Sequence, residues 1–264
     1  MRSAREPMDV RREVLRNVVL CQALAPLGKV HGAMQRAQGT RLGPKLEHVL
    51  VAGVNSGWQF HDLADRVLTW RRQPDCIYDL AYEAQRESTR SRLGGKVNYG
   101  PILLLVPLIT AQMLDYVETG AFENVEAILE RTGDVLRRTG ERDVAAIESF
   151  IHLGYEVAAR NRARTGRPIG SERPALRGRY ASVWEACQDF QAVQAVREMT
   201  TGYPYSQQVY RFLLHNIETG ILPAIQLIHQ FMVPELGRSD VVADLVVVGL
   251  YLLLTKHPEG VLFV

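Results

Sequence analysis

The chain has 264 residues, of which 47% are hydrophobic and 23% charged, the proportions of an ordinary globular protein. A chain of this length buries enough apolar surface to fold without disulfides or a structural metal. A formal net charge of +2, with no DNA-binding motif, makes a nucleic-acid binder the least favoured class of function.

The three cysteines, Cys21, Cys76 and Cys187, are odd in number and far apart, and none has the spacing of a zinc ligand. Free, buried thiols are the expected state, which is typical of the reducing cytoplasm. The N-terminal residues lack the apolar stretch of a signal peptide. We therefore expect a cytoplasmic protein.

Apolar residues recur at spacings of three and four, and no useful run alternates with a period of two. This pattern predicts an all-α fold, a single domain over residues 1–264 built as a multi-helix bundle. The predicted helices span about 13–26, 44–63, 74–90, 101–113, 124–138, 143–164, 181–201, 206–231 and 240–256. Pro107 predicts a kink. Residues 1–10 are expected to be disordered, and 165–179, rich in glycine, proline and arginine, to form a mobile loop.

The two most apolar runs, 101–113 and 241–254, are shorter than the ~18–20 residues that cross a bilayer. Both are expected to be buried helices, so no membrane partner is predicted. The second run could instead form the surface of a homodimer, but a place in the core is favoured.

Two glycine-rich basic segments, 28–43 and 91–100, each lie between predicted helices. Glycine and lysine before a helix offer backbone N–H groups, a helix dipole and a cation to a phosphate. We predict a phosphate-binding cleft here, although neither segment matches a P-loop and plain connections are the alternative. The residues assigned to phosphate or nucleotide binding are Gly28, Lys29, Gly95, Lys96 and Gly100. His31 is a further candidate because it lies in a loop.

Acidic residues on predicted helices supply candidate ligands for Mg²⁺, which proteins hold through carboxylates together with substrate phosphates. Asp143 and Asp189 are the predicted metal ligands, and Asp189 is preferred because its helix is mostly apolar. The alternative for each is an ordinary solvated surface carboxylate.

Segment 95–108 reads GKVNYGPILLLVPL and resembles the triphosphoribosyl-dephospho-CoA synthase family, especially its archaeal-type branch. Members there read approximately Gly-x-Asn-Thr-Asn-Leu-Gly before a Leu-rich helix that ends in Ala-Pro-Leu. Segment 23–31 reads ALAPLGKVH and is similar to the family's Ala-Pro-Lys-Pro-Gly-Asn-Val-His. Later similarities follow in the family's order, at Asp189 with Glu198, at 202–204 (Gly-Tyr-Pro) and at 256–259 (Lys-His-Pro-Glu).

The resemblance implies an all-helical transferase. Its substrates would be ATP, or another phosphorylated ribosyl donor, and a dephospho-CoA-like acceptor, with Mg²⁺ as a candidate cofactor. The family reaction transfers a triphosphoribosyl group and releases adenine. By the same resemblance, Asp189, Asn98 and His31 would be the catalytic residues, and the lysines of the two loops would contact phosphates.

The chain also departs from the family pattern. Lys29 and Lys96 stand where the family has asparagine, whereas Asn98 and Gly100 are kept, and residues 34–45 lack any acid. These changes make the site more positive and less suited to a metal. Two alternatives stay open: a changed phosphorylated substrate, or a relative that binds a nucleotide or a protein partner without turnover. The archaeal-type branch's association with tetrahydromethanopterin-linked one-carbon metabolism offers a setting for either.

Overall fold

A computed structural model of the chain describes residues 7–28, 46–90, 98–122, 124–163 and 174–257. Within these ranges the protein is all-α, with eleven α-helices, one short 3-10 helix and no strand, which confirms the predicted fold class. The helices are α1 (Pro7–Gly28), α2 (Leu46–Trp70), α3 (Tyr78–Arg90), α4 (Tyr99–Thr119), α5 (Val125–Arg137), α6 (Glu141–Ala163), α7 (Val183–Asp189), α8 (Gln194–Thr200), α9 (Pro204–His215), α10 (Ile221–Leu236) and α11 (Ser239–Lys256). The 3-10 helix, Ile217–Thr219, lies between α9 and α10.

Helix α4 is the centre of the bundle. Every residue from Pro101 to Tyr116 is buried, and the helix packs against α2, α3, α5, α8 and α11. It is long and apolar enough to cross a membrane, but 89% of its most apolar 18-residue window is buried inside the protein. The expected apolar run is therefore a core helix, and burial on all sides explains why it lacks an amphipathic pattern.

The second apolar run, in α11, is also buried in the core. Its residues from Leu245 to Thr255 are buried, and the helix packs against α1, α4, α9 and α10. The Tyr251 hydroxyl donates a hydrogen bond to the Gln112 side-chain oxygen of α4. The prediction that this run belongs to the core is confirmed.

Helices α1 and α2 approach each other closely because a glycine lies between them. A Cβ atom at Gly57 would lie only 2.8 Å from the Val19 side chain and 3.0 Å from that of Leu15. The same packing holds Gln22 of α1 against Gly53 of α2. This close approach places the C-terminal part of α1 beside the N-terminal half of α2.

Two predicted helices are each divided in the structure. The predicted helix 181–201 ends at Asp189 and resumes at Gln194, since the Phe190 N–H bonds to the Cys187 carbonyl in a tight final turn. The predicted helix 206–231 is interrupted between α9 and α10, where Gly220 has a φ of 92° that no right-handed helix contains. The helical periodicity continued across both breaks and hid them.

Parts of the two segments that we expected to be disordered or mobile, 7–10 and 174–179, lie within the described residues and make packing contacts. Helix α1 begins at Pro7, and Val10 is fully buried in the core. Leu176 is also buried, and the Glu148 carboxylate accepts the backbone N–H groups of Leu176 and Arg177. A carboxylate anchor of this kind was not visible in the glycine- and arginine-rich composition. Residues 1–6 and 165–173 lie outside the described residues.

The three cysteines are free, as expected; Cys21 and Cys187 are buried, whereas Cys76 is only half-buried. Burial raises the pKa of the Cys187 thiol to about 12. Burial, with a smaller effect from the Asp143 charge, raises that of Cys76 to about 12 as well. Both thiols are therefore protonated at neutral pH, which excludes them as ready nucleophiles.

Asp143 joins the starts of two helices. It lies in the first turn of α6, is 1% exposed, and its Oδ1 accepts the backbone N–H groups of Ile77 (2.8 Å) and Tyr78 (3.0 Å) at the start of α3. Burial raises the pKa of its carboxyl, against these N–H bonds, which favour the charged form. Its oxygens satisfy helix N–H groups that would otherwise be unpaired.

We expect Asp143→Ala to lower the free energy of unfolding by about 2–4 kcal/mol, because it leaves two buried N–H groups without a partner. Urea denaturation followed by circular dichroism measures this change. Asp134→Ala is the control, since Asp134 is 61% exposed and, among the described residues, its carboxylate pairs with Arg137 of its own helix. Its effect should stay within about 0.5 kcal/mol. Equal effects of the two substitutions would contradict the assigned role of Asp143.

Candidate functional site

A part-buried hydrogen bond links segment 95–108, which resembles the second family motif, to Gln22, the residue just before segment 23–31. Asn98 donates from Nδ2 to the Oε1 atom of Gln22 at 2.6 Å, and Ser56 Oγ donates to the same oxygen at 3.3 Å. Gln22 and Ser56 are almost completely buried. Gln22 lies six residues before Gly28, about 9 Å along the helix axis. The C-terminal end of α1 and the N-terminal end of α4 are therefore neighbours.

The backbone at Asn98 explains why an asparagine stands there. Asn98 precedes α4 in the left-handed region, with φ 57° and ψ 17°. Asparagine tolerates this region better than other residues with a side chain, apart from aspartate. Its side chain makes no capping bond to α4 and is committed to Gln22. One residue thus turns the chain into the central helix and ties that turn to α1.

Gly100, the glycine kept from the second family motif, lies against a carboxylate of the C-terminal helix. A Cβ atom at this position would lie 2.0 Å from Asp244 Oδ2, well inside van der Waals contact. Glycine is therefore required by the close approach of Asp244. Asp244 was not among the site residues predicted from the sequence. It is nevertheless the single carboxylate in the apolar run 241–254, an unusual place for an acid.

Helix α6 forms another side of the site. The Tyr99 ring stacks on Phe150 of α6, with centroids 4.2 Å apart and planes 26° apart. Phe150 is fully buried, and burial raises the pKa of the Tyr99 hydroxyl. Tyr99 is thus a packing residue that holds the start of α4 in place.

The structure describes only part of the predicted phosphate-binding set. Gly28 is the last residue of α1, and Asn98 and Gly100 form the entry to α4. The predicted residues Lys29, His31, Gly95 and Lys96 lie outside the described residues. Their roles stay predictions from the sequence.

Asp189 lies in a different environment from the one expected. It is the last residue of α7 and its side chain is 51% exposed, whereas the sequence suggested apolar surroundings. Its Oδ2 accepts from the Tyr180 hydroxyl at 2.6 Å and from Arg179 at 3.1 Å. Among the residues that the structure describes, no hydrogen bond or ion pair joins it to Asn98 or Gly100. Its catalytic and metal-binding roles stay predictions.

Two buried acids, Glu198 and Asp143, carry structural roles. Glu198 is fully buried and accepts the backbone N–H groups of Tyr205 (3.1 Å) and Ser206 (3.0 Å), so it caps α9. Burial raises the pKa of its carboxyl. Asp143 plays the equivalent role at α3, so its predicted Mg²⁺ site gains no support from its contacts. Within the described part of the chain, no three His, Cys, Asp or Glu side chains are grouped to hold a metal.

Comparison with known proteins gives only a distant likeness. No protein-family model matches the chain, and no curated protein matches it significantly. Among solved structures, it is similar to an Archaeoglobus fulgidus protein assigned provisionally as a triphosphoribosyl-dephospho-CoA synthase. The TM-score is 0.48 and the identity 17%, over 78% of this chain and 98% of that one. A likeness at this level transfers neither an activity nor the roles of residues.

We expect Gly100→Ala to lower the free energy of unfolding by about 1–3 kcal/mol, because the new methyl group overlaps the Asp244 carboxylate. Asp244→Ala in the same chain should recover most of this loss, and a double-mutant cycle by urea denaturation measures the coupling. Gly133→Ala is the control, since its methyl group would meet only the flexible end of Arg137. That substitution should be neutral or stabilising. Independent, additive effects at positions 100 and 244 would disprove the contact.

Proposed function

We propose that the protein is a transferase that moves a phosphorylated ribosyl group from ATP, or a related nucleotide, to a dephospho-CoA-like acceptor. The observation that carries this proposal is the Asn98–Gln22 bond, because it joins the second segment that resembles a family motif to the residue just before the first. The resemblance supplies the reaction class, and the contacts of the described residues supply the site.

The reaction is a displacement at the anomeric carbon of the ribose. An acceptor hydroxyl oxygen forms a bond to C1′ while the bond from C1′ to the base nitrogen breaks. The hydroxyl loses its proton and the departing adenine gains one, so the charges balance. Positive charge develops on the ribose in the transition state, and a fixed carboxylate stabilises it.

We assign that carboxylate to Asp244. It lies against Gly100, two residues from Asn98, and is partly accessible, whereas Asp143 and Glu198 are buried. In this proposal Lys29 and Lys96 neutralise the phosphates, and Asn98 holds the entry to α4 in the required shape. Mg²⁺ commonly binds through one or two carboxylates and the substrate's own phosphates, so Asp244 would suffice as its protein ligand.

A second candidate function is binding without turnover. The lysines at 29 and 96, where the family has asparagine, favour it, because they could hold phosphates in place of a metal. In this case ATP or dephospho-CoA would stabilise the protein and no adenine would form.

The test is to incubate the purified protein with ATP, Mg²⁺ and 3′-dephospho-CoA and to measure free adenine and the triphosphoribosyl product by mass spectrometry. We expect both products, and we expect Lys96→Ala and Asp244→Asn to reduce adenine release at least about tenfold. Arg142→Ala is the control, since this exposed arginine lies in the first turn of α6, remote in sequence from both motif segments. Omission of Mg²⁺ measures the need for metal.

Ligand-induced stabilisation without adenine would replace the transferase proposal with the binding function. Neither adenine nor stabilisation would contradict both. Unchanged turnover in Lys96→Ala and Asp244→Asn would show that the site had been placed wrongly.

A further inference from the structure

The helices around Asn98 bury two side-chain amides with atoms that have no hydrogen-bond partner among the described residues. Gln85 of α3 is fully buried, yet neither its Oε1 nor its Nε2 has a hydrogen-bond partner among the described residues. The same holds for the Nε2 of Gln22, whose Oε1 is the acceptor for Asn98. Unpaired buried amide groups cost folding free energy, and most buried polar groups in proteins are paired.

The packing of α3 against α6 places Gln85 level with the start of α4. The two helices begin side by side, because the Asp143 carboxylate in the first turn of α6 accepts the N–H of Tyr78. Seven residues further along each helix lie Gln85 in α3 and Phe150 in α6. Phe150 is the ring on which Tyr99 stacks. Gln85 and the residue after Asn98 are therefore in one layer of the bundle.

The packing of α3 against α2 places Gln85 near this layer. The two helices are consecutive and antiparallel, with Arg66 of α2 bonded to Asp79 of α3 at 2.7 Å. Counted from this pair, Ser56 lies ten residues back along α2 and residue 89 lies ten residues forward along α3. These two positions are therefore opposite each other. Ser56 contacts the Gln22 oxygen, so the free amide of Gln85 lies about one turn from the layer of the Gln22–Asn98 bond.

The chemistry of these amides selects the kind of group that would pair with them. Gln85 offers N–H donors and an acceptor oxygen from one planar group, and Gln22 adds donors. A fully ionised phosphate has no donor to offer the Gln85 oxygen and would leave it unpaired. An uncharged group that presents a hydrogen-bond donor beside an acceptor can pair with both the Oε1 and the Nε2 of Gln85. Nucleobases and amides are groups of this kind.

We propose that Gln85 and the Nε2 group of Gln22 form a buried site for the uncharged, hydrogen-bonding part of the ligand. The inference rests on the proposed function, since it separates this part of the ligand from the phosphates, which the lysines hold. The two sources of such an edge are the base of the nucleotide and the amide of a pantetheine arm. A buried water molecule is the competing occupant.

The test substitutes Gln85→Met, which nearly conserves side-chain volume and removes the unpaired amide. We expect a higher melting temperature, together with a loss of about tenfold or more in ligand affinity, measured by isothermal titration calorimetry. The probes are adenosine, purine riboside, which lacks the exocyclic amino group, and pantetheine. Gln85→Asn, which keeps the amide but withdraws it by one methylene, is a second variant.

Gln112→Met is the matched control. Gln112 is also a buried glutamine, but its oxygen accepts the Tyr251 hydroxyl, so its removal leaves that hydroxyl unpaired. This control should melt at a lower temperature than the wild type and keep its affinity for the probes. Opposite shifts in melting temperature for the two glutamine-to-methionine substitutions would show that the amide of Gln85, unlike that of Gln112, is unpaired in the free protein, and the loss of probe affinity in Gln85→Met alone would show that a ligand uses it.

A loss of adenosine affinity, with purine riboside already weak, would support the nucleobase as the ligand. A loss of pantetheine affinity alone would support the amide. A lower melting temperature with unchanged affinities would assign Gln85 to a buried water and overturn the inference. Adenine release that Gln85→Met leaves unchanged would overturn this inference alone. Absence of both probe binding and adenine release in the wild type would overturn the proposed function with it.

Discussion

The part-buried hydrogen bond from Asn98 to Gln22 ties the entry of the central helix α4 to α1. Helix α4 is mostly apolar and buried, and its Gln112 is bonded to Tyr251 of α11. At its entry, the left-handed backbone of Asn98 turns the chain while its side chain bonds to α1, and the Tyr99 ring stacks on Phe150 of α6. Because Gln22 is buried, replacement of this bond by water is unfavourable, so the geometry of the entry is well defined.

Three of the described carboxylates differ in the groups that they contact. Asp143 and Glu198 are buried and accept backbone N–H groups at helix starts, which explains their position on the chain without any catalytic role. Asp244 instead meets a glycine whose missing side chain makes room for it. Asp244 is also partly accessible, whereas Asp143 and Glu198 are buried. This contrast is why the proposal relies on Asp244.

The sequence predicted the parts of the fold that periodicity determines. The all-α class and the burial of 101–113 and 241–254 follow from the spacing and length of apolar runs. The breaks after Asp189 and before Gly220 were missed, because apolar spacing continues across them and only backbone geometry reveals them. Asn98 and Gly100 were found through motif resemblance. Gln22, Ser56, Gln85 and Asp244 were not, since their significance depends on contacts between residues tens of positions apart, which no local pattern encodes.

Hydrogen–deuterium exchange with and without ATP tests most directly whether the ends of α1 and α4 form one nucleotide site. The measurement compares peptides covering 22–31 and 95–104 with a peptide covering the exposed acid at 179–189. Our account predicts that ATP protects the first two peptides together, with the same dependence on ATP concentration, and leaves the third unchanged. Protection at 179–189 alone, or of one motif segment without the other, would contradict the site as described.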